Sequence, residues 1–121
     1  MTVPSLNPFL ICADVEASLD FVVSAFGLRR GEIDGGHGTA YLGDFVVYLA
    51  PAQEGLVPAR TLPASHSLLL AYVEDVDAVF ARARQAGAEV AYEPTDMPYG
   101  QRECGLRDLD GNLWSFATPT R

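Results

Sequence analysis

The chain has 121 residues, with sixteen Asp and Glu against eight Lys and Arg, for a formal net charge of −8. At 49% hydrophobic and 20% charged residues it can bury a core as one domain, without disulfides or a structural metal, and it is not of the disordered type. No basic run is present to displace phosphate counterions, which argues against a nucleic-acid partner. No stretch approaches a membrane span, and Met1 to Asn7 lacks a positive n-region and an apolar h-region, so a cytoplasmic protein with no membrane partner is expected.

The chain reads as two similar halves. The apolar run Phe9 to Cys12 predicts a strand. Asp14 then stands as a helix N-cap, Val15, Leu19, Val22 and Phe26 share one helical face, and Gly27 is placed to stop the helix. Strands are predicted over 28–33, 38–42 and 45–50, with turns at Gly35-Gly36 and Gly43-Asp44. Pro51 to Pro63, with three prolines and little apolar periodicity, is the natural linker. The second half repeats the grammar. A strand is predicted over 68–73, Asp75 caps a helix that buries Val76, Val79, Phe80 and Ala83, and Gly87 ends it. Strands follow over 89–92, 102–107 and 112–118, with Asp110-Gly111 expected to make a tight primed turn. Aligning Asp14 with Asp75 superposes Val15 on Val76 and Ala17 on Ala78, as a duplication would. The predicted class is α+β, βαβββ twice, with modules over about 5–51 and 65–119 and a linker over about 52–64.

Residues able to carry chemistry are few. Cys12 and Cys104 lie in apolar strand contexts with no C-x-x-C pair, so buried reduced thiols are expected. The only histidines are His37, in a glycine-rich turn, and His66, at the start of the fifth strand. A metal enzyme needs three or four converging ligands, so rim histidines are the simpler reading. Asp108 to Asn112 has acids spaced like a calcium loop, but its strand flanks and lack of a terminal Glu make it a turn. No phosphate loop and no nucleophile elbow occur. Strand alternation puts Trp114 and Phe116 on one face and Leu113, Ser115 and Ala117 on the other. It likewise separates Phe45, Val47 and Leu49 from Val46, Tyr48 and Ala50. Trp114, Phe116, Phe45 and Leu49 are the expected helix-packing core. Tyr48, Ser115 and Ala117 face a wall that suits either a ligand cavity or an ordinary exposed sheet.

Three strings carry a family resemblance: ICADVEASLDFVVSAFGL, YVEDVDAVFARARQAGAEV, and YGQREC continuing as GLRDLDGNLWSF. Together they resemble the glyoxalase/bleomycin resistance protein/dioxygenase (vicinal oxygen chelate) superfamily over nearly the whole chain. The resemblance implies an eight-stranded incomplete barrel with a cleft, and a homodimer, often with clefts completed across the interface. It also assigns the metalloenzymes' four ligand positions to Asn7, Tyr48, Leu68 and Ser115, none of them His, Glu or Asp. The expectation is therefore that no metal and no cofactor are bound and no catalytic residue stands there, as in the metal-free, bleomycin-resistance-like branch.

The leading function is thus a small-molecule-binding protein for a planar or amphipathic organic ligand, an antibiotic among the candidates. Its cleft is expected to be lined by Asn7, Tyr48, Leu68 and Ser115, with Tyr99 stacking on a flat ligand and Arg102 adding a polar contact. Two alternatives stay open: a glyoxalase-like lyase or dioxygenase with a metal relocated to His37 or His66, and a structural or regulatory dimer with a vestigial cleft.

Overall fold

The computed structural model describes residues 1–120. The elements are β1 (Phe9–Cys12), α1 (Val15–Phe26), β2 (Arg29–Asp34), β3 (His37–Leu42), β4 (Phe45–Pro51), β5 (Leu68–Tyr72), α2 (Val76–Gln85), β6 (Glu89–Met97), β7 (Gln101–Arg107) and β8 (Leu113–Pro119). A single 3₁₀ turn, Ala59–Thr61, interrupts the linker. The strands form two four-stranded mixed sheets, ordered β1-β4-β3-β2 and β5-β8-β7-β6, rather than a closed barrel. In each module the first strand runs parallel to the last and the remaining pairs are antiparallel. Two tandem βαβββ modules are therefore present, with one topology used twice.

The local chemistry explains where the helices lie. Asp14 and Asp75 hold extended backbone and accept hydrogen bonds from Ala17 N and Ala78 N, satisfying a donor at each open helix N-terminus. Gly27 takes φ 75°, a left-handed conformation that ends α1 and aims its N–H at Val22 O. The first helix has no cation in its last turn, and α2 supplies one. Arg82 donates to Ser24 O at 3.0 Å and to Val23 O at 3.2 Å, where the helix dipole is negative.

One core joins the modules. Phe26 of α1 packs against Trp114 and Phe116 of β8, with ring centroids 5.1 and 5.3 Å apart. Leu19, Leu49, Phe80, Cys104 and Leu106 belong to the same buried cluster. The modules thus meet through their helix sides, and the helix-free face of each sheet is turned away from the shared core. The turn between β7 and β8 locks this arrangement. Asp110 accepts from Ala13 N at 2.9 Å and from the Ser18 hydroxyl, both in the first module. Asp108 accepts from Trp114 Nε1 at 3.0 Å, from the Asn112 amide and from two backbone N–H groups. Arg60 ties the linker to the same turn through Leu109 O and Asp108 O.

Several expectations need correction. Phe45 is 79% exposed rather than core. Alternation gives the face a residue takes, not whether that end of the face is covered, and Phe45 follows directly on the turn. The β7–β8 connection is five residues long, not a two-residue primed turn, and only Gly111 takes a positive φ there. The sixth strand runs five residues past Tyr92, through Pro94 to Met97. It is an edge strand, where a missing N–H is tolerated. His66 precedes β5 and is exposed. Among the described residues, no helix is long and apolar enough to cross a membrane.

Candidate functional site

The helix-free face of the second sheet follows from strand register. Leu68, Leu70 and Tyr72 pair with Leu113, Ser115 and Ala117, which pair in turn with Arg107, Gly105 and Glu103. Tyr92 and Met97 extend these rows on β6 opposite Gly105 and Gln101. Trp114, Phe116, Cys104 and Leu106 occupy the other parity and are buried under α2.

At the centre of this wall stands Glu103, only 9% exposed. Its carboxylate accepts from the Tyr92 hydroxyl, from Tyr99 Oη at 3.0 Å and from Gln101 Nε2 at 2.8 Å. Tyr72 Oη donates to Gln101 Oε1 at 3.1 Å, and Ser115 Oγ lies 2.7 Å from Tyr92 Oη. Burial works to raise the Glu103 carboxyl, but the hydrogen bonds from Tyr92, Gln101 and Tyr99 outweigh it and hold it below the ordinary value. Burial first, and then the neighbouring carboxylate, push the Tyr92 phenol up to about 12 and raise Tyr99 as well. A carboxylate stabilised in this way is a weak base at neutral pH and a persistent anion.

Gly105 makes the network sterically feasible. A Cβ built on it would lie 2.2 Å from Tyr92 Cε1, so the phenol ring rests directly on the β7 backbone. This closeness carries the Tyr92 hydroxyl from the edge strand to Glu103 and Ser115.

The first module's helix-free face is aromatic and apolar. Phe9 stacks on Tyr48 with centroids 5.1 Å apart, and Arg29 sits 4.3 Å over the Tyr41 ring. Phe9, Ile11, Ala50, His37, Gln53 and Leu56 surround a cavity of about 360 Å³. A second, mostly apolar cavity of about 520 Å³ lies between Leu42 and Phe45 of the first module and Leu70 to Val73 of the second.

The expected site residues divide between these places. Leu68, Tyr99 and Ser115 belong to the second wall, though Ser115 is 1% exposed beneath Tyr92 and cannot touch a ligand directly. Tyr48 lies on the first wall. Asn7 precedes β1 and spends its amide locally, accepting from Ser5 and donating to Val46 O at 3.0 Å. Arg102 has the opposite parity to Glu103 and pairs with Asp77 of α2 at 2.9 Å and with Asp96 at 3.2 Å, so it fastens helix to sheet and is not on the wall. Glu103, Tyr92, Gln101 and Tyr72 were not foreseen. The signal available was a Glu and a Gly two apart inside a predicted strand, both poor strand residues with no local reason to be there.

The donor set does not fit a divalent ion at the four positions the resemblance assigns. Leu68 has no donor atom, Ser115 is buried against Tyr92, and both polar atoms of the Asn7 amide are occupied. Among the described residues, no three His, Cys, Asp or Glu side chains come together as a metal site requires. His37 sits at the start of β3 with Nδ1 3.3 Å from Gly35 O.

Comparison with known proteins agrees with this architecture. Uncharacterized proteins of Mycobacterium bovis and Mycobacterium tuberculosis are 30% identical over 131 aligned positions, covering 98% of this chain and 85% and 76% of theirs. The crystal structure of TioX from Micromonospora sp. ML1 superposes with a TM-score of 0.79 at 26% identity, covering 97% of this chain and 99% of that one. A glyoxalase/bleomycin resistance protein/dioxygenase from Nocardioides superposes with a TM-score of 0.71 at 21% identity, over 100% of this chain and 87% of that one. A family model matches residues 5–116, and the chain belongs to the Glyoxalase/Bleomycin resistance protein/Dioxygenase superfamily.

Proposed function

We propose that the protein is a metal-free binder of a planar or amphipathic organic molecule, held on the helix-free wall of the second module. The observation that carries this reading is Glu103, a largely buried carboxylate kept anionic by three donated hydrogen bonds in a wall of exposed Leu68, Leu70, Tyr72 and Tyr99. Aromatic and aliphatic surface around one fixed polar anchor is the composition of an organic-ligand site. A general base works best with a pKa near the operating pH, and this carboxyl is shifted the other way. With all three donors already aimed at it, it is also poorly placed to ligate a metal.

The wall is open in the single chain, and we propose that a second copy closes it, making a homodimer. The sheet edges support this. The outer edges are protected, β2 by charges and a bulge, β6 by Pro94 and two register shifts. The inner edges, β1 (FLIC) and β5 (LLLAY), have no charge, proline or bulge, and Phe9, Leu68, Leu70 and Tyr72 flank them exposed. Buried free thiols at Cys12 and Cys104 suit a reducing compartment, and we assign the protein to the cytoplasm.

Calorimetry of chelator-treated protein over planar and amphipathic metabolites and antibiotics tests the reading. Saturable binding is expected, abolished by Leu70→Lys and weakened by Tyr99→Ala, with Arg102→Ala unchanged. Binding that appears only with added zinc, nickel or iron would instead favour an enzyme with a relocated metal.

A further inference from the structure

We infer that a polar pocket between the linker and the second sheet binds a tetrahedral oxyanion of the phosphate class, held by Arg60 and Arg107. The pocket lies toward the end of β7 away from Glu103 and does not depend on the wall being a ligand surface.

The charge balance there is unusual for this chain. The sequence has no lysine, so its eight cations are all arginines in a protein of net charge −8. Arg30 meets two carboxylates, Glu16 and Asp20, and Arg102 meets two, Asp77 and Asp96. At the pocket the ratio is reversed, and Arg60 and Arg107 share the one carboxylate of Glu89. That carboxylate lies 3.6 Å from Arg60 Nη1 and 3.3 Å from Arg107 Nε. A charge-assisted hydrogen bond is shorter, about 2.7–2.9 Å. Glu89 is also exposed and opens an edge strand, so it is a loosely held occupant.

Both guanidinium groups are fixed in place by other contacts. Arg60 N donates to Asp110 O at 2.7 Å, its Nε to Leu109 O at 3.3 Å and its Nη2 to Asp108 O at 3.2 Å. Arg107 Nη1 donates to Ser65 Oγ at 2.8 Å and to Gly111 O at 3.2 Å. The linker comes this close because residue 111 is glycine: a Cβ there would lie 2.9 Å from Arg60 Cα. Among the described residues, Arg60 Nη1 and Arg107 Nη2 are left without a hydrogen-bond acceptor. Ser65 accepts from Arg107 and keeps its own proton to give.

Arg60, Ser65 and Arg107 line a cavity of about 210 Å³ with Glu89. Its donors come from two points of the linker and from β7, so they suit an anion whose oxygens spread in three dimensions. A carboxylate offers two oxygens in one plane. Guanidinium forks held in advance lose little freedom on binding such an ion. The cavity is smaller than the roughly 300–1,000 Å³ of organic-ligand pockets, which fits a phosphate ion or the phosphate end of a compact monoester.

The test titrates inorganic phosphate, acetate and glycerol 3-phosphate into the whole chain by calorimetry, in phosphate-free buffer at constant ionic strength. One saturable phosphate site is expected, with acetate weaker by about tenfold or more. Glycerol 3-phosphate binding more tightly than phosphate assigns the site to a monoester, and equal or weaker binding assigns it to the free ion. Arg60→Gln and Arg107→Gln should each weaken phosphate by about tenfold or more. Glu89→Gln should tighten it by about fivefold or more, because a competing negative charge is removed, and a gain of this kind cannot come from misfolding. Arg84→Gln, which removes an arginine 3.9 Å from Glu93 on another surface, should change nothing. The inference is overturned by no saturable phosphate binding in wild type and Glu89→Gln, by acetate binding as tightly, by no gain in Glu89→Gln, or by an equal loss in Arg84→Gln.

Discussion

Adding one methyl group at position 105 should take the site apart while leaving the fold standing. The Cβ of Gly105→Ala would fall 2.2, 2.6 and 2.8 Å from three carbons of the Tyr92 ring. Carbon atoms settle about 3.5–4.0 Å apart, so the ring must lift by more than about 1 Å. It is the ring that gives way, because β7 is central in its sheet and β6 is an edge strand already interrupted by register shifts. Lifting it breaks the Tyr92–Glu103 and Ser115–Tyr92 hydrogen bonds, each worth about 0.5–1.5 kcal/mol net. Overpacking strain of about 1–3 kcal/mol adds to this, for a total loss of roughly 2–6 kcal/mol. Urea denaturation measures the loss. Alkaline ultraviolet titration reports the cause, because the phenol that ionises at about 12 in the native protein should move down toward the ordinary tyrosine range. Combined with Tyr92→Ala, the same substitution should be nearly free, giving a strong favourable coupling between the two sites. A cost below about 0.5 kcal/mol, with the high phenol value retained, would refute a ring resting on residue 105.

Three further outcomes are expected. The Glu103 carboxyl lies lower in the folded protein than its ordinary value of 4.5, so it adds stability above that pH and loses it as pH falls through the folded value. The stability gap between wild type and Glu103→Gln, from urea midpoints across pH, should therefore be largest near neutrality and close on acidification. Asp110→Ala strips a charged acceptor from Ala13 N and Ser18, and should cost roughly 2–4 kcal/mol in denaturant while loosening the contact between modules. Burial pushes the thiols of Cys12 and Cys104 up to about 12 and about 11, so neither should react with a thiol reagent at neutral pH until the protein unfolds.

What the sequence revealed was chiefly local. Asp14 and Asp75 as caps, Gly27 as a helix stop, and the apolar stripes of both helices depend on neighbours within a turn or two, and each lies where the spacing put it. The double βαβββ order followed from repetition of those signals. Longer-range facts were less accessible. The close approach of Tyr92 to Gly105 joins residues thirteen apart on two strands whose pairing shifts register twice, and no periodicity encodes those shifts. The predicted sixth strand stopped at Tyr92, whereas β6 continues through Pro94, which is tolerated because β6 is an edge, a tertiary fact. Arg102 was expected to give the ligand a polar contact, and its neighbour Glu103 was not singled out. One step of strand parity sends the first to α2 and the second to the wall. Ser115 was placed on the correct face, but the ring that covers it comes from another strand.

The most direct test is amide NMR on chelator-treated protein titrated with naphthylmethylamine. If the second module's wall is an organic-ligand site independent of metal, saturable shifts should gather at Leu70, Tyr72, Tyr99 and Glu103. Shifts that require an added divalent ion, or that gather instead around His37 and His66, would contradict it.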